Sequence, residues 1–165
     1  MSAPLDRRAN RGQPLEDLLD QIHETYRARG VADIRHHDTR AVVHRRGAEI
    51  VGAHYVAPAC ADYTGCMGSR HCVIEAKTTA GDRLAASAVR PQQREHLDRA
   101  HEWGCLAGLV VLWTSCGELW AVPWSVAREA MRPRHSLRWQ PRSPWRVTGL
   151  DYLAVLVEAE RGGAA

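Results

Sequence analysis

Leu106-Ala107-Gly108-Leu109-Val110-Val111-Leu112-Trp113 is an apolar run with no polar side chain, bounded by Gly104 and Gly117. It is too short for a buried helix of ordinary length, and it lacks the alternation of a strand with one wet face. Such a run describes a central strand covered on both sides, the middle of a sheet lying between helix layers. Downstream, Gly117 turns the chain into Glu118-Leu119-Trp120-Ala121-Val122, an antiparallel partner, and Ser125 to Met131 form a short helix. Upstream, Pro91 opens a helix that Gly104 stops, with Gln93, Leu97, Ala100 and Trp103 on its inner face. Before it come a strand, Ser69 to Lys77, and a loop, Thr78 to Val89. The segment Pro58 to Gly68 is rich in turn residues.

Further out, Leu15, Leu18, Leu19, Ile22 and Tyr26 recur at helical spacing between Pro14 and Gly30, and Val31 to His36 can extend as a strand. Ala41-Val42-Val43 and Ile50-Val51 flank Arg45-Arg46-Gly47 as the two sides of a protruding hairpin. At the other end, Arg132 to Pro144 read as an irregular basic loop. A last helix, Leu150 to Glu160, turns Leu150, Leu153, Leu156 and Val157 inward. The expected fold is therefore α/β: a mixed central β-sheet flanked by helices, with a short β-hairpin stalk. Residues 1–12 are expected to be a flexible basic arm, 13–161 one domain with 37–58 as a stalk-like insertion, and 162–165 a disordered tail.

A chain of 165 residues can bury a core without staples. Its net charge of +3 is too small to name a nucleic-acid partner by itself, so the placement of charge has to do that. The apolar run is far too short to cross a bilayer, and the N-terminus lacks the apolar core of a signal peptide. Five cysteines without a C-x-x-C pair fit reduced thiols, and a cytoplasmic location is expected.

Of the 22 Lys and Arg residues, only Lys77 is lysine. A guanidinium is planar and always protonated, whereas an amine is a compact charge whose pKa moves readily. One lysine kept among arginines marks a position where the compact cation is needed. It stands in Val73-Ile74-Glu75-Ala76-Lys77, and residues two apart on a strand share a face, so Glu75 and Lys77 project together. Asp62 can reach the same spot if 62–77 folds back on itself around Gly65 and Gly68. Two carboxylates with the carbonyl of Ala76 would give a part-filled site of hard oxygen ligands for Mg²⁺ or Mn²⁺, leaving room for water and a phosphate oxygen.

The spacing of Asp62 from Glu75-Ala76-Lys77 resembles the PD-(D/E)XK nuclease motif. Further blocks accompany it: Arg11-Gly12-x-x-Leu15-Glu16, Asp62-Tyr63-x-Gly65, Arg70, Gln93-x-x-His96-Leu97 and Asp151-Tyr152-Leu153. In order and spacing the set is similar to the RecU family of Holliday-junction resolvases. That resemblance implies a restriction-endonuclease-like core and a Mg²⁺-dependent homodimeric endonuclease that cuts four-way DNA junctions symmetrically. It further implies Asp62 and Glu75 as metal ligands, Lys77 as the catalytic lysine, Gln93 positioning water or phosphate, and Glu16 completing the site. Its stalk would correspond to His37–Pro58, which here is shorter and carries other residues.

Candidate phosphate contacts are Arg7, Arg8 and Arg11 in the arm, Arg40, Arg45 and Arg46 in the stalk, and Arg70. Between Arg128 and Arg146 six arginines face one acid, Glu129, and Arg134, Arg138 and Arg142 are the candidates there. Trp139 and Trp145 in the same stretch either stack on unpaired bases or pack inward. Two rival functions stay open: a nuclease of the same class acting on other branched or duplex DNA, and a junction-binding accessory protein that does not cut.

Overall fold

The structure, a computed structural model, describes residues 13–37, 41–55 and 60–162. In chain order the elements are α1 (Gln13–Ala28), β1 (Asp33–His36), β2 (Ala41–Arg46), β3 (Glu49–Tyr55), β4 (Tyr63–Met67), β5 (Arg70–Thr79) and β6 (Arg83–Ala85). A 3-10 turn (Ala86–Ala88) leads into α2 (Pro91–Glu102), β7 (Leu106–Trp113), β8 (Glu118–Pro123), α3 (Trp124–Ala130), β9 (Ser136–Arg138) and α4 (Tyr152–Gly162). A five-stranded sheet runs β1-β4-β5-β7-β8. Among the described strands only β5 and β7 pair in parallel, and α2 makes the crossover that a parallel pair requires. The α/β class with a mixed sheet between helices is what the sequence leads one to expect.

β7 behaves as a strand with two dry faces. Leu106 and Val110 pack with α1 and α4, through Leu15, Leu19, Ile22, Tyr152 and Leu156. Ala107, Leu109, Val111 and Trp113 pack with α2 and α3, through Leu97, Ala100, Trp124 and Ala127. Gly108 lets α4 settle, since a Cβ there would lie 2.8 Å from Leu156 Cδ2 and 2.9 Å from the Val122 carbonyl oxygen. Among the described residues β2 and β3 pair only with each other, a ribbon turning at Gly47 in the left-handed region, where the hairpin stalk is expected.

Several expectations need correction. The turn-rich segment before Gly68 contains an interior strand, β4, because its glycine is a packing feature: a Cβ on Gly65 would sit 2.0 Å from the Asp33 carbonyl oxygen of β1. The loop after Lys77 and the basic loop after Arg132 each hold a three-residue strand, β6 and β9, paired antiparallel. Strands so short carry no periodicity, and their pairing spans some fifty residues of sequence, as Leu84 meets Leu137. Trp103 is 80% exposed, because α2 ends at Glu102 and Gly104 turns away at φ 77°. Leu150 is 58% exposed and precedes α4. There Asp151 accepts from the Ala154 N–H at 3.1 Å and caps the helix, which starts two residues after Leu150.

Candidate active site

On β5, Val73 joins the α2/α3 core while Cys72 and Ile74 join the α1/α4 core. Glu75 and Lys77 therefore point toward α2. The β4–β5 ladder ends at the pair Tyr63 and Ile74. Beyond that pair the backbone of Ala76 meets a side chain instead of a strand, as its N–H donates to Asp62 Oδ2 at 3.0 Å. In an antiparallel pair a residue's N–H and C=O point the same way, so the Ala76 carbonyl is turned to this gap as well. Asp62 is itself held by its neighbours. The His37 N–H donates to its carbonyl at 2.8 Å, and the adjacent Tyr63 ring stacks on His36 with centroids 4.7 Å apart.

Glu75 is fully buried. Its Oε1 accepts from both Lys77 Nζ and Gln93 Nε2, whereas its Oε2 is buried with no hydrogen-bond partner. Burial pushes the Glu75 carboxyl up to about 7, with the Asp62 charge adding to the rise and Lys77 opposing it. Lys77 Nζ also lies 3.9 Å from Asp62 Oδ2. Exposure grows outward, from none at Glu75 to 18% at Lys77 and 29% at Asp62, so the cluster opens to solvent on the Asp62 side. Gln93 has both ends of its amide engaged, its Oε1 accepting the Arg90 N–H at 3.0 Å while its Nε2 serves Glu75. It caps the first turn of α2 and fastens that helix to the acid.

A buried carboxylate oxygen without a donor is a place for a cation. The Asp62 and Glu75 carboxylates with the Ala76 carbonyl form an all-oxygen set that suits Mg²⁺ or Mn²⁺. Among the described residues no group of three or more His, Cys, Asp or Glu side chains is arranged to hold a metal, so water and phosphate would complete this one.

The structure thus brings together Asp62, Glu75, Ala76, Lys77 and Gln93. Glu16 comes from α1, in the other helix layer, and is tied to the neighbourhood through its carbonyl, 3.5 Å from the Tyr63 hydroxyl. That phenol is pushed up by burial first and then by the carboxylates of Asp20, Glu16 and Asp62, so the acids surround one ring. Arg45, Arg46, Arg134, Arg138 and Arg142 are exposed. Arg134 and Arg142 sit at φ 69° and 62°, a conformation easier for glycine. Arg70 is committed elsewhere: it donates to the carbonyls of Gly104 and Cys105 and pairs with Glu160 at 2.5 Å. Arg7, Arg8, Arg11 and Arg40 lie outside the described residues. Trp139 and Trp145 are half-buried against the α2/α3 core, and the Trp139 indole donates to Glu118 at 2.9 Å, so they pack inward. All five cysteines are free, and among the described residues no helix is long and apolar enough to cross a membrane. Sequence reading does not place Arg83 opposite Arg138, because that position depends on the non-local pairing of β6 with β9.

A mixed sheet with an Asp, a Glu and a Lys gathered where two of its strands part has the arrangement expected of the PD-(D/E)XK class. The sequence profile of the family described as Recombination protein U, RecU, matches residues 10–138. The chain belongs to the RecU family. No curated protein matches it. Among solved structures it is similar to Hjc, a Holliday junction resolvase from Archaeoglobus fulgidus, with a TM-score of 0.46 and 16% identity over 83% of this chain and 95% of that one. A likeness that loose carries no argument about activity.

Proposed function

We propose that this chain is a structure-selective, metal-dependent DNA endonuclease that resolves four-way (Holliday) junctions as a homodimer through paired symmetric nicks. The observation that carries this reading is the buried Glu75, one oxygen held by Lys77 and Gln93 and the other without a donor, beside Asp62. A protein that only bound DNA would have no use for an acid buried at this cost. Asp62, Glu75 and the Ala76 carbonyl would hold Mg²⁺ or Mn²⁺. Bound there, the ion would supply a water of lowered pKa and offset charge on the phosphate oxygens. Lys77, the cation of the cluster, holds the scissile phosphate or orients the attacking water as an ammonium, or takes the proton of that water after losing its own to solvent. Gln93 keeps Glu75 aimed, and Glu16 supports the far side of the site.

The test is incubation of labelled four-way junction, flap and linear duplex with the native chain, Lys77→Ala and Asp62→Ala, in Mg²⁺ and in EDTA. Paired nicks on the junction alone, lost in EDTA and in both variants, are the expected result. Cutting of flap or duplex would replace the junction by another DNA substrate. Retention of the junction by the native chain without cutting in any metal would reduce the protein to a binder. Independently of activity, Mn²⁺ should raise the melting temperature of the native chain and leave that of Asp62→Asn unmoved.

A further inference from the structure

β6 and β9 form a ribbon of three residues a side, in which Arg83 stands directly opposite Arg138, Leu84 opposite Leu137 and Ala85 opposite Ser136. The leucines are buried in the α2/α3 core, at 4% and 5% exposure, so they fix which face of the ribbon is inside. Alternation then puts Arg83 and Arg138 together on the outer face. Directly opposed residues have Cβ atoms about 5 Å apart, and like charges at that spacing destabilise the pair. A three-residue ribbon has little pairing energy to set against such repulsion. The nearest acid, Asp82, approaches Arg83 Nε only to 3.9 Å, and both side chains are more than half exposed, so it screens the pair weakly.

The ribbon is also joined to the active site. Thr79 Oγ1, at the end of β5, donates to the Arg83 carbonyl at 3.1 Å, and the Trp139 N–H donates to the Asp82 carbonyl at 2.8 Å. Lys77 is two residues from Thr79 along the strand, roughly 7 Å. The arginine pair therefore lies on the order of 10 Å from Lys77, a few phosphates along one strand at about 3.4 Å of helix axis each.

We propose that Arg83 and Arg138 form a phosphate clamp, which grips the DNA backbone a few nucleotides from the scissile bond and is balanced only when a phosphate lies between the two guanidinium groups. The clamp rests on the nuclease reading for its ligand, and it adds Arg83 as a binding residue and a distance at which the backbone is held. A planar fork on each side suits the tetrahedral oxygens of one phosphate or two successive ones.

Two measurements test it, both on the full chain. Binding of four-way junction in EDTA is followed across a salt series for the native chain, Arg83→Ala, Arg138→Ala and the double variant. Each single variant should lower the slope of log affinity against log salt by up to about 0.9, and the double variant by about 0.9 for one shared phosphate or about twice that for two successive ones. Melting of the free proteins is the second readout: the single variants should melt at or above the native temperature, because a repulsion has been removed. Unchanged salt slopes in variants of a native chain that does bind the junction overturn the clamp and leave the nuclease reading standing. A fall in melting temperature in both single variants would mean that the pair stabilises the free ribbon, which also overturns it. If the native chain retains no DNA at any salt, clamp and nuclease reading fail together.

Discussion

Lys77 is the residue on which the proposed chemistry concentrates. Its amine fits between Glu75 Oε1 and Asp62 Oδ2 with only 18% of the side chain exposed. An arginine would keep the charge but bring a wide fork into a space that accepts a point. We expect Lys77→Arg to bind junction DNA near the native level and to cut at least about 100-fold more slowly, the lower range for loss of a positioned proton-transfer group. Comparison of single-turnover cleavage with EDTA binding checks this, and cleavage within a few-fold of native would show that only charge matters at the position. Gly65 answers to packing rather than chemistry. A methyl group there would meet the β1 backbone at 2.0 Å, which no side-chain rotation relieves. Gly65→Ala should cost about 3 kcal/mol by denaturant unfolding, the upper part of the usual overpacking range.

Among the elements, α1 and α4 are joined by a buried polar contact, His23 Nε2 lying 2.8 Å from the Tyr152 hydroxyl. His23 is lowered to about 4 from 6.5, chiefly by burial and then by the Arg27 and His36 charges. The native state therefore holds this imidazole neutral while the unfolded chain takes a proton below 6.5, so its contribution is complete above that pH and is lost as pH falls toward about 4. The size is about 3 kcal/mol. His23→Phe should flatten the fall in melting temperature over this window, and an unchanged acid limb would assign the loss to other groups. The elements also mark how far the sequence could be read. β7 was legible because its apolar run is unbroken, α2 and the inner face of α1 because each carries its own period, and Asp62, Glu75 and Lys77 because the motif spacing is local, while Gln93 came with the resemblance and its place on the inner face of α2. β6, β9 and the place of Gly65 were not, since each is decided by a partner remote in sequence. Trp103 and Leu150 illustrate the same limit at helix ends, where a cap outweighs the apolar pattern.

At the scale of the molecule, Arg70 fastens the start of β5 to the α2–β7 turn and to Glu160 near the end of α4, so it closes one end of the sandwich. The sequence reading counts it among the candidate phosphate contacts, whereas its bonds favour a brace. Arg70→Ala should lose roughly 1–3 kcal/mol of stability through its unpaired partners, with no change in the salt slope of DNA binding. A slope shallower by about one unit with stability intact would return it to the DNA surface. A last consequence follows from the composition. Because the chain has a single lysine, reagents that modify primary amines have one side-chain target, with the α-amine as the other candidate. Reductive methylation with a ¹³C label would place an NMR-visible probe on the amine beside Asp62, and its chemical shift against pH and added Mg²⁺ would report that position directly. On the proposed function, acylation of the same amine should inactivate the protein stoichiometrically, and protection from acylation by DNA should map occupancy of the cleft without any cleavage assay.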